Sequence, residues 1–141
     1  EYIKTQLEKD KSITDKITFV YRHFPLYQIH FNAQQASYAA EAAGKQGKFF
    51  EMADLMFTNQ TKWAESKNVK ETFIGYAKQL KLTEEQFKKD MDSKEVQDKV
   101  NAQQLSGEQA GINSTPTFFF NGSKVDVTSW EDFKKMLNAA K

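Results

Sequence analysis

The 141 residues include no cysteine, and that absence removes several chemistries at once. No disulfide framework, zinc–thiolate site, iron–sulfur cluster or cysteine nucleophile can be built from these residues alone. Proline is scarce, with two residues against 39% hydrophobic and 28% charged. That is the composition of an ordered globular domain and not of a disordered tail. An excess of one charge is missing too. The 20 basic and 19 acidic residues are interspersed, so no electrostatic footprint for nucleic acid is formed. No run of 18 apolar residues occurs and mean hydropathy is −0.72, so these residues hold no membrane-spanning helix and no signal peptide. Internal repeats, low-complexity tracts and Pro/Gly-rich linkers are also lacking, which leads to the expectation of a single domain over residues 1–141. A chain near this length can bury roughly 70% of its unfolded surface, enough for a core without disulfides or metal.

What is present divides by period. Ile3 and Leu7 stand at helical spacing behind Glu1, as in a helix entered midway, and an upstream segment is therefore expected. Ile17-Thr18-Phe19-Val20-Tyr21 is a β-branched and aromatic run that predicts a strand covered on both faces, ended by Pro25. From about residue 32 to 111 the signals are helical. An alanine-rich segment (Ala33, Ala36, Ala40, Ala43) closes at Gly44 and Gly47, and Phe49, Met52, Ala53 and Met56 form an apolar stripe. Phe73, Ala77 and Leu80 form another, and both stripes are core positions. Thr83 with Gln86 predicts a capping box, Leu82 with Phe87 a hydrophobic staple, and Ser93 a cap for a helix carrying Val96 and Val100. Thr117 to Phe120 then predicts a strand, Asn121-Gly122 a tight turn, and Val125 and Val127 its return. Thr128 with Glu131, or Ser129 with Asp132, predicts the start of a last helix whose apolar face holds Trp130, Phe133 and Leu137.

Titratable residues form no convincing catalytic set. His23 and His30 lack a metal-binding helical spacing and read as structural or hydrogen-bonding residues. Glu84, Glu85, Asp90 and Asp92 crowd a helix start and an exposed face, where acids serve the macrodipole and solubility, so all four are expected to be solvated. There is no glycine-rich phosphate loop, and Gly44 and Gly47 read as helix terminators. Asn-x-Ser/Thr matches at Asn59, Asn113 and Asn121 carry meaning only in a eukaryotic secreted protein. Catalytic, metal-binding and cofactor-binding residues are therefore expected to be none. Pro116, in Ser114-Thr115-Pro116-Thr117-Phe118, reads by itself as a strand-entry proline with a trans bond.

Several of these segments, in this order, resemble the DsbA-like thiol–disulfide oxidoreductases of the thioredoxin superfamily. They are Phe19 to Leu26, His30 with Ala33, Ala39 to Ala43, Gly47 to Phe50, Tyr76 to Lys78, Gly111 to Phe118, Asn121-Gly122 and Trp130 to Phe133. The resemblance implies an α/β, thioredoxin-like fold with a large helical insertion at about residues 32–111. It implies that the first strand, the Cys-x-x-Cys and the start of the active-site helix lie before Tyr2, so that this chain alone is inactive. Ser114, Thr115 and Pro116 would be the substrate-binding residues, in a cis-proline loop whose backbone pairs with an extended peptide. Partners would be unfolded or reduced secreted proteins and a redox partner protein. The location would be extracytoplasmic in bacteria, the periplasm or cell surface. A redox-inactive peptide-binding or chaperone-like module of the same fold is the alternative. Without the central strand, residues 17–21 and 117–120 would flank an empty slot. Strand exchange with a second chain or direct pairing of the two flanks is expected to fill it.

Overall fold

A computed structural model of the chain describes residues 2–127 and 129–139. The chain divides into two compact units, residues 22–110 and a smaller one from residues 1–21 with 111–141.

The larger unit is helical: α3 (Ala33–Lys45), α4 (Phe49–Thr58), α5 (Gln60–Trp63), α6 (Val69–Gln79), α7 (Glu84–Met91) and α8 (Lys94–Gln109). Its hub is α3, which packs against α4, α6, α7 and α8. The reason lies in its composition, because Ala39, Ala40, Ala42 and Ala43 are all buried and methyl side chains let neighbouring backbones come close. Around them sit Met52, Phe73, Phe87, Met91, Val96 and Val100, all fully enclosed. Burying each such side chain is favourable by roughly 1.5–3 kcal/mol. Both apolar stripes predicted from the sequence face this core.

The helix ends follow local chemistry. Beyond α3, Gly47 takes φ +76°, the Lys48 amide donates to the Ala43 carbonyl at 2.9 Å and the Gly47 amide to the Gly44 carbonyl at 2.9 Å. This is a Schellman stop, and its left-handed position is where glycine is needed. Gly44 is not a terminator as expected but an interior residue of α3, where a Cβ would meet the Phe49 Cβ at 3.3 Å. Ser93 caps α8 as expected, its Oγ accepting from the Val96 amide at 3.3 Å. The Thr83 capping box does not form its own bonds. Helix α7 starts where predicted, yet the Thr83 side chain makes no cap bond. Instead the Gln46 amide grips Thr83, accepting from its N–H at 2.9 Å and donating to its carbonyl at 3.3 Å. Gln86 is turned to Asp90, at 2.9 Å.

The smaller unit holds α1 (Tyr2–Lys9), α2 (Lys11–Thr14), the hairpin β1 (Phe118–Phe120) and β2 (Ser123–Val125), and α9 (Trp130–Ala139). The hairpin is antiparallel, pairing Phe118 with Val125 and Phe120 with Ser123. Asn121 (φ +47°) and Gly122 (φ +84°) both sit in the left-handed region, as the tight turn between twisted strands requires. Leu7, Ile13 and Phe133 form this unit's core, with Ile17, Trp130 and Leu137 packed on it. Ser129 starts α9, its Oγ accepting from the Asp132 amide at 3.1 Å and donating to the Asp132 carboxylate at 2.7 Å. Thr128, the alternative cap, lies outside the described residues.

One expected element is absent. Residues 17–21 form no strand, and the sheet of the described residues contains β1 and β2 alone. An apolar, β-branched run becomes a strand through a ladder with a neighbour, and no ladder of the described residues includes this run. Direct pairing of residues 17–21 with 117–120 as strands is accordingly not formed.

Candidate functional site

Ser114, Thr115 and Pro116 follow α8 along the chain and precede β1, and all three are exposed. The Thr115–Pro116 peptide bond is cis, where composition and base chemistry point to trans. Thr117 Oγ1 donates to the Ser114 carbonyl at 2.7 Å and so ties the loop to the start of the strand. The loop offers backbone donors and acceptors and two hydroxyls to a ligand. It holds no nucleophile stronger than those hydroxyls and no metal-ligating side chain. Among the described residues no group of three His, Asp or Glu side chains gathers where it could hold a metal ion.

The helical unit contains a buried polar cluster that the sequence indicates only faintly. Glu41 is buried in the alanine face of α3, at 6% exposure. Its Oε1 lies 3.3 Å from His23 Nε2 and its Oε2 accepts from Lys99 Nζ at 2.6 Å. Burial raises the Glu41 carboxyl, but the hydrogen bonds and charges of His23 and Lys99 outweigh it and hold the group below the ordinary Glu value. His23 is also buried, edge-on to the Phe49 ring at 5.6 Å between centroids, and its backbone N–H donates to Gln103 Oε1 at 2.7 Å. The cluster therefore ties the segment after residue 21 to α3 and α8. The signal was there to read: Glu41 is the only charged residue between Ala33 and Gly44.

The two histidines have different fates. His23 is structural, as expected, whereas His30 is exposed and lines a small cleft with Trp63. Between them the chain makes a turn in which the Ile29 and His30 amides donate to the Leu26 carbonyl at 3.1 and 2.9 Å. Asn32, buried at 3%, locks the far end of that turn. Its amide nitrogen donates to the carbonyls of Trp63, Ala64 and Ser66 at 2.9–3.0 Å, which satisfies the open carbonyl end of α5.

The four acids of the α7 region correct the expectation of solvation in one case. Glu85 and Asp92 are exposed, but Asp90 is buried at 4%, accepting from Gln86 and lying 3.0 Å from Lys45 Nζ. Asp90 stands with Phe87 and Met91 on the inward face of α7, the i, i+3, i+4 pattern that turns it toward the core. Burial raises its carboxyl, and Gln86 and Lys45 overcome that to hold it below the ordinary Asp value.

A family model described as Thioredoxin matches residues 2–139. The chain is also similar to proteins named as membrane antiporters. It is 34% identical over 108 residues to "Na(+)/H(+) antiporter NhaA 1" of Salinispora arenicola, covering 77% of this chain and 16% of that protein. It is 36% identical over 114 residues to the protein of the same name from Mycobacterium sp. (strain KMS), covering 78% of this chain and 18% of that one. With "Na(+)/H(+) antiporter NhaA" of Herminiimonas arsenicoxydans it shares 36% over 111 residues, or 79% of this chain and 17% of the relative. The chain thus spans less than a fifth of the length of these curated relatives, and among the described residues no helix is long and apolar enough to cross a membrane. The fold is thioredoxin-like, with its helices inserted between the N-terminal segment and the hairpin, and the family model covers all but the extreme ends: the chain belongs to the thioredoxin family.

Proposed function

We propose that these residues are the client-handling part of a DsbA-like thiol–disulfide oxidoreductase that forms or shuffles disulfides in extracytoplasmic proteins of bacteria, and that its thiol pair lies outside the 141 residues. The observation that carries this reading is the conjunction of a thioredoxin-family chain with zero cysteines and an exposed Ser114-Thr115-Pro116 loop. Disulfide exchange needs a thiolate to attack a disulfide sulfur, and no other side chain can replace it. What the loop can supply is binding. Thr115 presents its backbone to an extended peptide, and the peptide's own thiol or disulfide is delivered to a cysteine pair elsewhere. The similarity to antiporters adds no ion transport to these residues, because translocation across a bilayer needs spanning segments. It supports a domain of this kind within a longer protein.

The test compares the 141 residues with the continuous protein that includes whatever precedes Glu1. The expected result is insulin reduction at the no-protein rate for the 141 residues alone and a rate above it for the longer protein, lowered by Thr115→Pro. Turnover by the 141 residues alone would overturn the proposal. An upstream segment without a Cys-x-x-Cys would replace it with the second reading, a redox-inactive peptide-binding module, which the same absence of cysteine favours.

A further inference from the structure

The helical unit presents an apolar ridge that its fold leaves to solvent. Ile29 is 72% exposed and Phe31 74%, with Tyr27 at 47% on the same turn. Such side chains on a floppy loop would mean little, but this turn is fastened at both ends. His23 and Pro25 are buried before it, and the Asn32 amide is clamped to three carbonyls after it. The ridge is held ready, so a ligand does not have to order it first.

Directly beside the ridge lies a cleft of about 70 Å³ lined by His30, Asn32, Gln60, Trp63 and Glu65 among others. Its chemistry narrows the occupant. The Gln60 amide both donates and accepts, His30 can do either, and the Glu65 carboxylate accepts. An apolar ridge next to mixed donors and acceptors matches a polypeptide, with side chains on the ridge and backbone amides over the cleft. A lipid surface would use the ridge but gains nothing from the cleft, and an anionic one is repelled by Glu65. From Arg22 to Ala40 the chain has no Asp or Glu, so the ridge itself carries nothing to repel an apolar or acidic segment.

The geometry points to a docking surface for unfolded, apolar polypeptide segments, formed by Tyr27, Ile29 and Phe31 with the Gln60–Glu65 cleft. This rests on the function proposed above and names its substrate class: the cysteines of reduced clients sit in sequences destined for cores, since cysteine is among the most buried residues. A surface that collects them has to be apolar and tolerant of sequence. It therefore recognises exposure of apolar residues rather than any particular sequence.

The test is fluorescence-anisotropy binding with the whole 141-residue chain. Its probes are a labelled 12-residue Leu/Phe-rich peptide, the same peptide with Leu and Phe changed to Ser, and reduced, carboxamidomethylated α-lactalbumin. The expected result is binding of the first and third probes only, weakened at least tenfold in the double variant Ile29→Ser/Phe31→Ser. Because both residues are exposed, circular dichroism and melting temperature should match the parent. Affinity unchanged in the double variant but lowered by Thr115→Pro would overturn the ridge and leave the proposed function standing. No binding of any unfolded probe to the parent would overturn both. Phe31-dependent flotation with neutral phosphatidylcholine vesicles, without peptide binding, would assign the ridge to lipid. A concentration-dependent dimer in sedimentation, abolished by the double variant, would assign it to a second copy. Either of these outcomes overturns the proposal.

Discussion

Asn32 does the work of three hydrogen bonds with one nitrogen, holding the carbonyls of Trp63, Ala64 and Ser66 from inside the protein. Asn32→Ala leaves those carbonyls without that donor in a site that water reaches poorly, and a lost buried partner costs about 1–3 kcal/mol. Urea denaturation should show that loss, and Asn32→Asp should be at least as damaging because it sets oxygen against oxygen. Nothing in the local sequence announces this residue. Its partners lie 31 to 34 positions away, and an Asn before an alanine run reads as an ordinary helix cap. Glu41 and Asp90 share the problem in different degree. A buried acid is visible only when the periodicity of its own helix is followed through a charged position, as Phe87 and Met91 allow for Asp90. The exposed Ser114, Thr115 and Pro116, by contrast, were legible only because flanking segments resembled a family, since a proline at a strand entrance has a plain local explanation.

At the scale of elements, local signals were reliable where the partners were local. The hairpin turn at Asn121-Gly122, the Ser93 cap and the three apolar stripes all rest on residues within a few positions of each other, and all stand in the structure. The Thr83 box fails for the complementary reason. Its signature is local, but Gln46, 37 residues earlier, occupies the bonds first. The two caps therefore separate in a mutational test. Ser93→Ala removes a side-chain cap bond and should destabilise by about 1 kcal/mol. Thr83→Ala removes none and should fall within about 0.5 kcal/mol of the parent, the usual span for surface changes. Thermal melts of the two variants check the order, and Gln46→Ala should resemble Ser93→Ala. The strand expected at residues 17–21 was misread at this same scale. Composition announces that a segment suits a sheet, whereas a ladder has to come from somewhere else in the structure.

For the whole molecule the buried acids set the response to pH. Glu41 and Asp90 both have carboxyls held below their ordinary values in the folded protein. The unfolded chain therefore binds more protons as the carboxylate range is entered from above, and stability falls with pH there. Stability should be flat above that range, decline as pH drops through it, and go on declining until the depressed folded values are passed. Urea midpoints measured from neutrality downward should show this, and the double variant Glu41→Gln/Asp90→Asn should have a shallower decline than the parent. A parallel decline would mean that other carboxylates carry the acid response.

The alanine face of α3 has a mechanical meaning as well. Large side chains at a contact can change rotamer and let helices slide by small amounts, but a methyl group has no rotamer to change. The spacing of α4, α6, α7 and α8 about α3 is thus set by backbone against side chain with no adjustable link between them. A displacement applied at the Tyr27–Phe31 turn, which His23 and Glu41 couple to α3, is passed on as rotation of a stiff axle instead of being absorbed in the core.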